Sequence, residues 1–359
     1  MAVLIRTQLN ELFDQAAVDS SHAGLLLQRK LAKYEGSGEK PLKSALIDTI
    51  TSVQPSQLYE LAFERWLKFT GARSSTFATT VATVDGRLFT GLNIGGSIET
   101  GVITHHTYGM PMIAGSSVKG AVRQYAESIR LDPKYLAILF GHGDDDPSHD
   151  DEGHLLNDTA GYLIWHDAWW IPKTSVQKPF VKEIVTVHHQ KYYTGTQIEA
   201  TDFDSPVPNQ QVAVQGNFYF AIEGDKQWVD FAKQLLENAL FQNGLGAKAS
   251  SGYGYFKTAE KKLVNQMNDF VQEQIKKDLP EYDQLMNELK EKIEKSPKGG
   301  GIGGNPLGQA LKEIIAKSLQ WPPEAYPKLR AVAQLVYDHV GADRKKKGAA
   351  KDLWQTLPQ

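Results

Sequence analysis

Residues 211–258, QVAVQGNFYFAIEGDKQWVDFAKQLLENALFQNGLGAKASSGYGYFKT, encode a strand, a helix and a second strand in that order. In 211–222, Val212, Val214, Phe218, Phe220 and Ile222 fall at a spacing of two, interrupted only by Gly216, which predicts a strand with one buried side. Over 227–242 the spacing becomes helical, with Trp228, Phe231, Ala232, Leu235, Leu236, Ala239 and Leu240 forming one apolar stripe. A glycine-rich link then leads into a strand near 252–258. Working backwards, 160–171, AGYLIWHDAWWI, is apolar on both faces apart from His166 and Asp167 and predicts a central strand. Residues 116–130 predict a helix, with Val118, Ala121, Val122, Tyr125, Ala126 and Ile129 at helical spacing and Ser116 or Ser117 as N-cap. Residues 78–92, ATTVATVDGRLFTGL, are rich in Thr and Val and predict the first strand. Strand, helix, strand, strand, helix, strand is the order of a ferredoxin-like antiparallel sheet, so the expected class is α+β.

Outside this core, 78–258, both ends read as helical. The extension 1–77 offers Leu9, Leu12, Phe13 and Ala16 on one face and Leu58, Leu61, Phe63, Trp66 and Leu67 on another, with a loop at EGSGEKP, 35–41. The appendage 259–359 carries Leu263, Met267, Phe270, Val271 and Ile275, then Leu285, Leu289 and Ile293. A break at KGGGIGGNP, 298–306, and a last helix around 324–340 follow. Neither end shows chemistry, so both are expected to pack or dock. The basic run Arg344–Lys347 reads as a solvated tail. Within the core, 141–155 form an acidic loop and 172–209 a long insertion of the kind that usually serves a function.

Composition narrows the function classes. The chain of 359 residues has no cysteine, which excludes disulfides, thiolate catalysis, zinc–thiolate sites and iron–sulfur clusters. Its first apolar run ends at Arg6, too short for a signal segment, and no stretch is long enough to cross a bilayer, so a cytoplasmic location without membrane contact is expected. A formal charge of −3 argues against coating nucleic acid by bulk charge; any such contact has to be local.

Three stretches could make it. In GMPMIAGSSVKGAVR, 109–123, Gly115, Ser116 and Ser117 open a helix whose free N–H groups and dipole favour an anion, and Lys119 and Arg123 lie four apart on that helix. An ordinary capped helix with a solvated basic face has the same spacing. In GLGAKASSGYG, the glycines 244, 246, 252 and 254 with Lys248, Ser250 and Ser251 follow a helix and enter a strand, the reverse of a nucleotide-cofactor loop, so no cofactor is expected. Bare backbone there could approach a sugar–phosphate chain. In VTVHHQKYYTG, 185–195, His188, His189, Lys191, Tyr192 and Tyr193 combine stacking planes, donors and a fixed charge, as single-stranded bases require. His188 or His189 with Tyr192 could equally perform metal-independent RNA cleavage, or the aromatics could be buried in a hairpin. His142, Asp144, Asp145, Asp146, His149, Asp150, Asp151 and His154 are metal-ligating types, but their spacing fits no known ligand loop, and a solvated segment without metal is expected. His166 and Asp167, adjacent on a strand, should point to opposite faces.

The pairing of PMIAGSSVKGAVR with GLGAKASSGYGYF resembles the RAMP superfamily of CRISPR proteins, whose members carry an I-P-G-S-S-x-K-G-x-x-R segment and a later G-x-G-x-x-x-S-x-G-x-G loop. HDAWW and VTVHHQKYY look most like the branch that supplies the sixth RAMP subunit of the type III-B, or Cmr, effector. Ala114, Val187 and Ala247 depart from the family's usual Pro, Pro and Gly. The resemblance implies RRM-like folding with insertions and a non-catalytic subunit that caps the guide-RNA (crRNA) filament near its 3′ end in antiviral defence. It also implies partners: guide and target RNA, the other Cmr RAMP subunits and the small helical subunit. RNA-recognition domains share this order of elements.

Overall fold

The computed structural model describes residues 5–15, 21–33, 41–92, 94, 100–143, 146, 152, 159–187, 189–201, 207–346 and 348–358. Four helices come first: α1 (Thr7–Gln15), α2 (Ala23–Arg29), α3 (Pro41–Thr51) and α4 (Gln57–Gly71), followed by β1 (Phe77–Val84). Next are β2 (Met112–Ile113), α5 (Gly115–Ser128), α6 (Pro133–Phe140) and the short strands β3 (Gly141–His142), β4 (Thr159–Ala160), β5 (Ile164–Trp165) and β6 (Ala168–Trp170). Then come β7 (Phe180–Val187), the one-turn α7 (Gln190–Tyr193), β8 (Val207–Val214), β9 (Asn217–Glu223), α8 (Lys226–Gln242) and β10 (Phe256–Thr258). The helices α9 (Lys261–Asp278), α10 (Glu281–Lys295), α11 (Pro306–Ser318), α12 (Ala325–Val340) and α13 (Ala349–Gln355) complete the chain. Two compact units result, 1–269 and 270–359. Among the described residues no helix is long and apolar enough to cross a membrane.

The first unit is built on an antiparallel sheet in the order β10-β1-β9-β6-β2, with β5 also paired to β9. Register sorts the side chains. Ala78, Thr80 and Ala82 lie opposite Ile222, Phe220 and Phe218, so these six share one face. On that face Thr80 Oγ1 donates to Glu237 of α8 at 2.7 Å, and Val118 and Val122 of α5 and Leu235 and Leu236 of α8 join the same buried cluster. Burying each of the large side chains is worth about 1.5–3 kcal/mol. The opposite face carries Phe77, Tyr219 and Trp169.

Helix α4 lies against that second face. Tyr59, Ala62, Phe63, Leu67 and Thr70 are its buried side, at helical spacing, whereas Leu58 and Leu61, which the sequence places on the packing face, are exposed. Tyr59 stacks on Trp169, Phe63 meets Tyr219 edge-on, and Trp66 contacts Phe77 and Trp169. Tyr59 Oη donates to the Trp170 carbonyl at 2.6 Å, and the hydroxyls of Thr70 and Tyr219 are 2.6 Å apart. Of the other predicted N-terminal face, Leu12 is exposed, and Ala16 and the Phe13 side chain lie outside the described residues.

Every predicted core strand is present, but each is shorter or broken. The first ends at Val84 because Asp85-Gly86 turns the chain, Gly86 having φ +86°. The second, read as continuous over 160–171, is interrupted at His166-Asp167: Trp165 pairs with Ile222 but Trp169 with Tyr219, so one extra residue bulges out between them. The third divides at Gly216 into β8, which pairs with β7 in a separate hairpin, and β9, which enters the sheet. The fourth shrinks to Phe256–Thr258 against β1. The helices over 116–130 and 227–242 form as α5 and α8 with ends moved by at most two residues.

The second unit has its own core, in which Met286 and Leu289 of α10, Leu311 and Ile315 of α11 and Leu329, Val336 and Tyr337 of α12 meet. The glycine-rich break falls between α10 and α11, as its composition predicts. Arg344 lies over the Trp354 ring at 4.9 Å and donates to Gln334, so the basic run is not wholly a free tail.

Gly216 tests this architecture. It has φ +106°, and a Cβ there would stand 2.6 Å from Trp170 Nε1, which donates to the Gln215 carbonyl. Gly216→Ala should lower stability by about 1–3 kcal/mol, seen as an earlier urea midpoint at unchanged slope.

Candidate nucleic-acid interface

Helix α5 begins at Gly115, and its N-cap is Ala114, which supplies no side-chain bond. Neither predicted serine caps it. The carboxylate comes from the bulge: Asp167 Oδ1 accepts the Gly115 N–H at 2.7 Å. Gly115 is glycine because a Cβ would overlap the Trp165 carbonyl, a requirement of packing rather than of ligand approach. The Ser117 N–H bonds to the Ala114 carbonyl, while the Ser116 N–H has no acceptor among the described residues. His166 turns the other way, to Glu223 at 3.0 Å, so the two adjacent residues serve different partners.

The glycine-rich loop is tied to the chain that leaves β1. Ala247 N–H donates to the Phe89 carbonyl at 2.9 Å, Gly254 N–H to Arg87 at 2.8 Å and Leu245 N–H to Gly254 at 2.8 Å. A Cβ at Gly244, Gly246 or Gly254 would strike backbone carbonyl groups of Gly254, Phe89 and Leu245 respectively. These three glycines therefore make room for the protein's own chain, which corrects the expectation that they bare it for a ligand; only Gly252 faces open space. What the loop does offer is amides: the N–H groups of Gly246, Lys248, Ala249 and Ser250 find no acceptor among the described residues. Ser251 and Gly252 close a single 3₁₀ turn, bonding back to Lys248 and Ala249. Lys248 is a non-glycine residue in the left-handed region, φ +63°, with an exposed side chain and no ion-pair partner among the described residues.

These two segments face one cleft of about 530 Å³. Ser117, Gly120, Ala121 and Gln124 of α5 form one wall, Asn243 to Ala247 and Ala249 the other, and Phe89, Leu92, Ile103 and Ile113 line it between them. Lys119 and Arg123 do not line it; they sit roughly 110–150° round the helix from the cleft-facing stripe. Lys119 has no ion-pair partner among the described residues. Arg123 is paired twice, with Glu127 at 2.8 Å and with Asp146. Spacing in sequence showed the two cations on one side of α5 but not which side the glycine loop would meet.

The third stretch lies at the end of the β7–β8 hairpin. His188 falls outside the described residues, as does the Lys191 side chain. His189 has φ +57°, and Tyr192 and Tyr193 are 46% and 73% exposed, which answers the alternative of aromatics buried in a hairpin. From the acidic loop, Asp146 accepts from Arg123 and from the Gly143 N–H, His142 lies in β3, and Asp144, Asp145, His149, Asp150, Asp151 and His154 lie outside the described residues.

The sheet face that RNA-recognition domains leave open is covered here by α4, so base stacking on it is closed off. Sequence reading also missed Gly120, Gln124 and Asn243. The small and polar residues at 117, 120, 121 and 124, one helical stripe, were the available signal.

An antiparallel sheet backed by two helices, with a glycine-rich loop after the second helix set beside the first, defines a class, and residues 81–257, just under half of the chain, match the RAMP superfamily. Among curated proteins it is similar to the CRISPR system Cmr subunit Cmr6 of Pyrococcus furiosus, 25% identical over 280 residues, covering 64% of this chain and 82% of that one. A chain in the cryo-EM structure of the type III-B Cmr-beta bound to cognate target RNA aligns with a TM-score of 0.47 at 19% identity, over 61% of this chain and 71% of that one. The crystal structure of Cmr6 from Pyrococcus furiosus aligns with a TM-score of 0.31 at 23% identity, over 51% and 98%.

His105, in the turn before β2, lies 4.7 Å from the Trp169 ring and from the Tyr108 ring. Burial pushes its imidazole below the ordinary value of about 6.5, against the pull of Asp167. The unfolded chain therefore binds the proton more readily, and the stability contributed here is full above 6.5 and lost as pH falls through the lowered value. His105→Gln should flatten the acid limb of a pH–stability curve, measured by thermal melts.

Proposed function

We propose that this chain is a non-catalytic, RNA-binding subunit of a type III-B CRISPR (Cmr) ribonucleoprotein effector, acting in the cytoplasm in antiviral defence and capping the guide-RNA filament near its 3′ end. The observation that carries this reading is the shared cleft: the helix-α5 segment and the glycine loop, far apart in sequence, line it together, and the loop carries the unpaired 246 and 248–250 amides and the exposed Lys248 beside it. Backbone donors suit phosphate oxygens, and a single local cation suits a chain of net charge −3 that shares RNA with neighbours. The similarity to Cmr6 supports the same assembly. We read the sheet as ferredoxin-like, with β1, β5–β6, β9 and β10 as its four strands and α5 and α8 as its helices.

In this reading Lys248, Ser250 and the Ser116 amide contact the guide, with Lys119 reaching RNA beside the cleft, while Arg123 is engaged by Glu127 and Asp146. Tyr192 and Tyr193, exposed at the end of the hairpin, stack on guide or target bases. The exposed Leu58 and Leu61 on the outer side of α4 suit contact with a neighbouring RAMP subunit or the small helical subunit.

Lys248→Gly separates folding from binding. Glycine relieves a left-handed conformation that costs other residues about 1 kcal/mol, so the melting temperature should hold or rise. Affinity for a short single-stranded RNA should fall, and the slope of log affinity against log salt should lessen by about 1. Unchanged affinity would remove the loop from the RNA site. End-labelled RNA incubated with the full chain in EDTA should stay intact; cleavage lost in His189→Ala would refute the non-catalytic assignment.

A further inference from the structure

Resting on the RNA-binding reading, we propose that the cleft between α5 and the glycine loop seats one unstacked nucleobase, with its phosphate held at the rim by the 248–250 amides and Lys248. A track for sugar and phosphate alone calls for cations along its length. Among the described residues the cleft has none: its lining contains no Asp, Glu, Lys, Arg or His. Its apolar surface is Leu92 and Ile103, over the buried Phe89, Ile113 and Leu245, and on it a phosphate would lose hydration without a partner whereas a neutral aromatic ring would not.

The polar groups suit a base edge. Gln124 on one wall and Asn243 on the other each carry a carboxamide, donor and acceptor side by side, and neither side chain has a hydrogen-bond partner among the described residues. That pairing of groups is what an unpaired base presents on its Watson–Crick or Hoogsteen edge. A volume of about 530 Å³ lies within the range of sites for nucleotide-sized ligands. Gly120 keeps the wall open: a Cβ there meets nothing within 4 Å, so any side chain added grows into free space.

Gly120→Leu is therefore the test. Leucine is the better helix former by about 0.8 kcal/mol, so a melt at or above the wild-type temperature certifies folding. The probe is a short single-stranded RNA in which each nucleotide in turn is made abasic. With the wild-type full chain, removal of one particular base should weaken binding about tenfold, the loss expected for one stacked base. In Gly120→Leu the intact RNA should bind about tenfold more weakly and that position should cease to matter. Gln124→Leu, which keeps the volume but removes both polar groups, should abolish preference for the base identity at that position.

Equal losses at every abasic position, or Gly120→Leu binding like wild type, would overturn the base pocket and leave the RNA-binding reading standing. So would Gly120→Leu losing a protein partner from the purified complex while RNA binding is untouched. Failure of the wild-type chain to bind RNA at all would remove both.

Discussion

Three backbone hydrogen bonds, from Ala247 to Phe89, from Gly254 to Arg87 and from Leu245 to Gly254, fix where the glycine-rich loop stands, and the cleft exists because of them. They fold the loop so tightly on itself and against the chain leaving β1 that three of its four glycines admit no Cβ, Gly246 because of Phe89 and Gly244 and Gly254 because of the loop's own backbone. With those bonds made internally, the amides left over are those of 246 and 248–250, displayed on the turn around a left-handed Lys248. The same packing sets one wall of the cleft at a fixed distance from α5. That helix is held in turn by Asp167, whose carboxylate reaches Gly115 only because an extra residue bulges from the pairing between β5–β6 and β9. The loop thus owes its position to main-chain hydrogen bonds, and the helix to its buried apolar side and the Asp167 carboxylate.

The cover over the second sheet face redirects function. Burial of Tyr59, Phe63 and Leu67 each contributes about 1.5–3 kcal/mol, and the Thr70–Tyr219 and Tyr59–Trp170 hydrogen bonds satisfy the polar tips inside. A face so closed is core. The aromatic residues that would form a stacking platform in an open sheet here weld the N-terminal extension to the segment that matches the RAMP model, and the proposed RNA contacts accordingly lie at the cleft beside α5 and at the hairpin. The exposed Tyr192 and Tyr193 are the counterpart of that exchange.

Periodicity made most of the architecture legible. The stripes of α5 and α8, the alternation across Val212 to Ile222 and the glycine-rich break before α11 each follow from local rules, because side-chain direction repeats with the backbone. Where the expected strands failed, a long-range contact intervened: Trp170 fills the space at Gly216, and Gly115 draws Asp167 out of line. In the site, the RAMP segments were readable as motifs, but the roles of their residues were not. Arg123 was visible as a cation and invisible as the partner of Asp146, and Gly120, Gln124 and Asn243 carried no motif at all.

The sequence by itself determined the class of fold, the order of its elements and the two segments that make the cleft, since hydrophobic spacing and glycine content act over a few residues. Only the tertiary structure decided which face of α5 meets the loop, which glycines serve packing and which sheet face is sealed. Those outcomes depend on backbone atoms of residues distant in the chain coming within hydrogen-bonding distance, and no local pattern specifies that meeting.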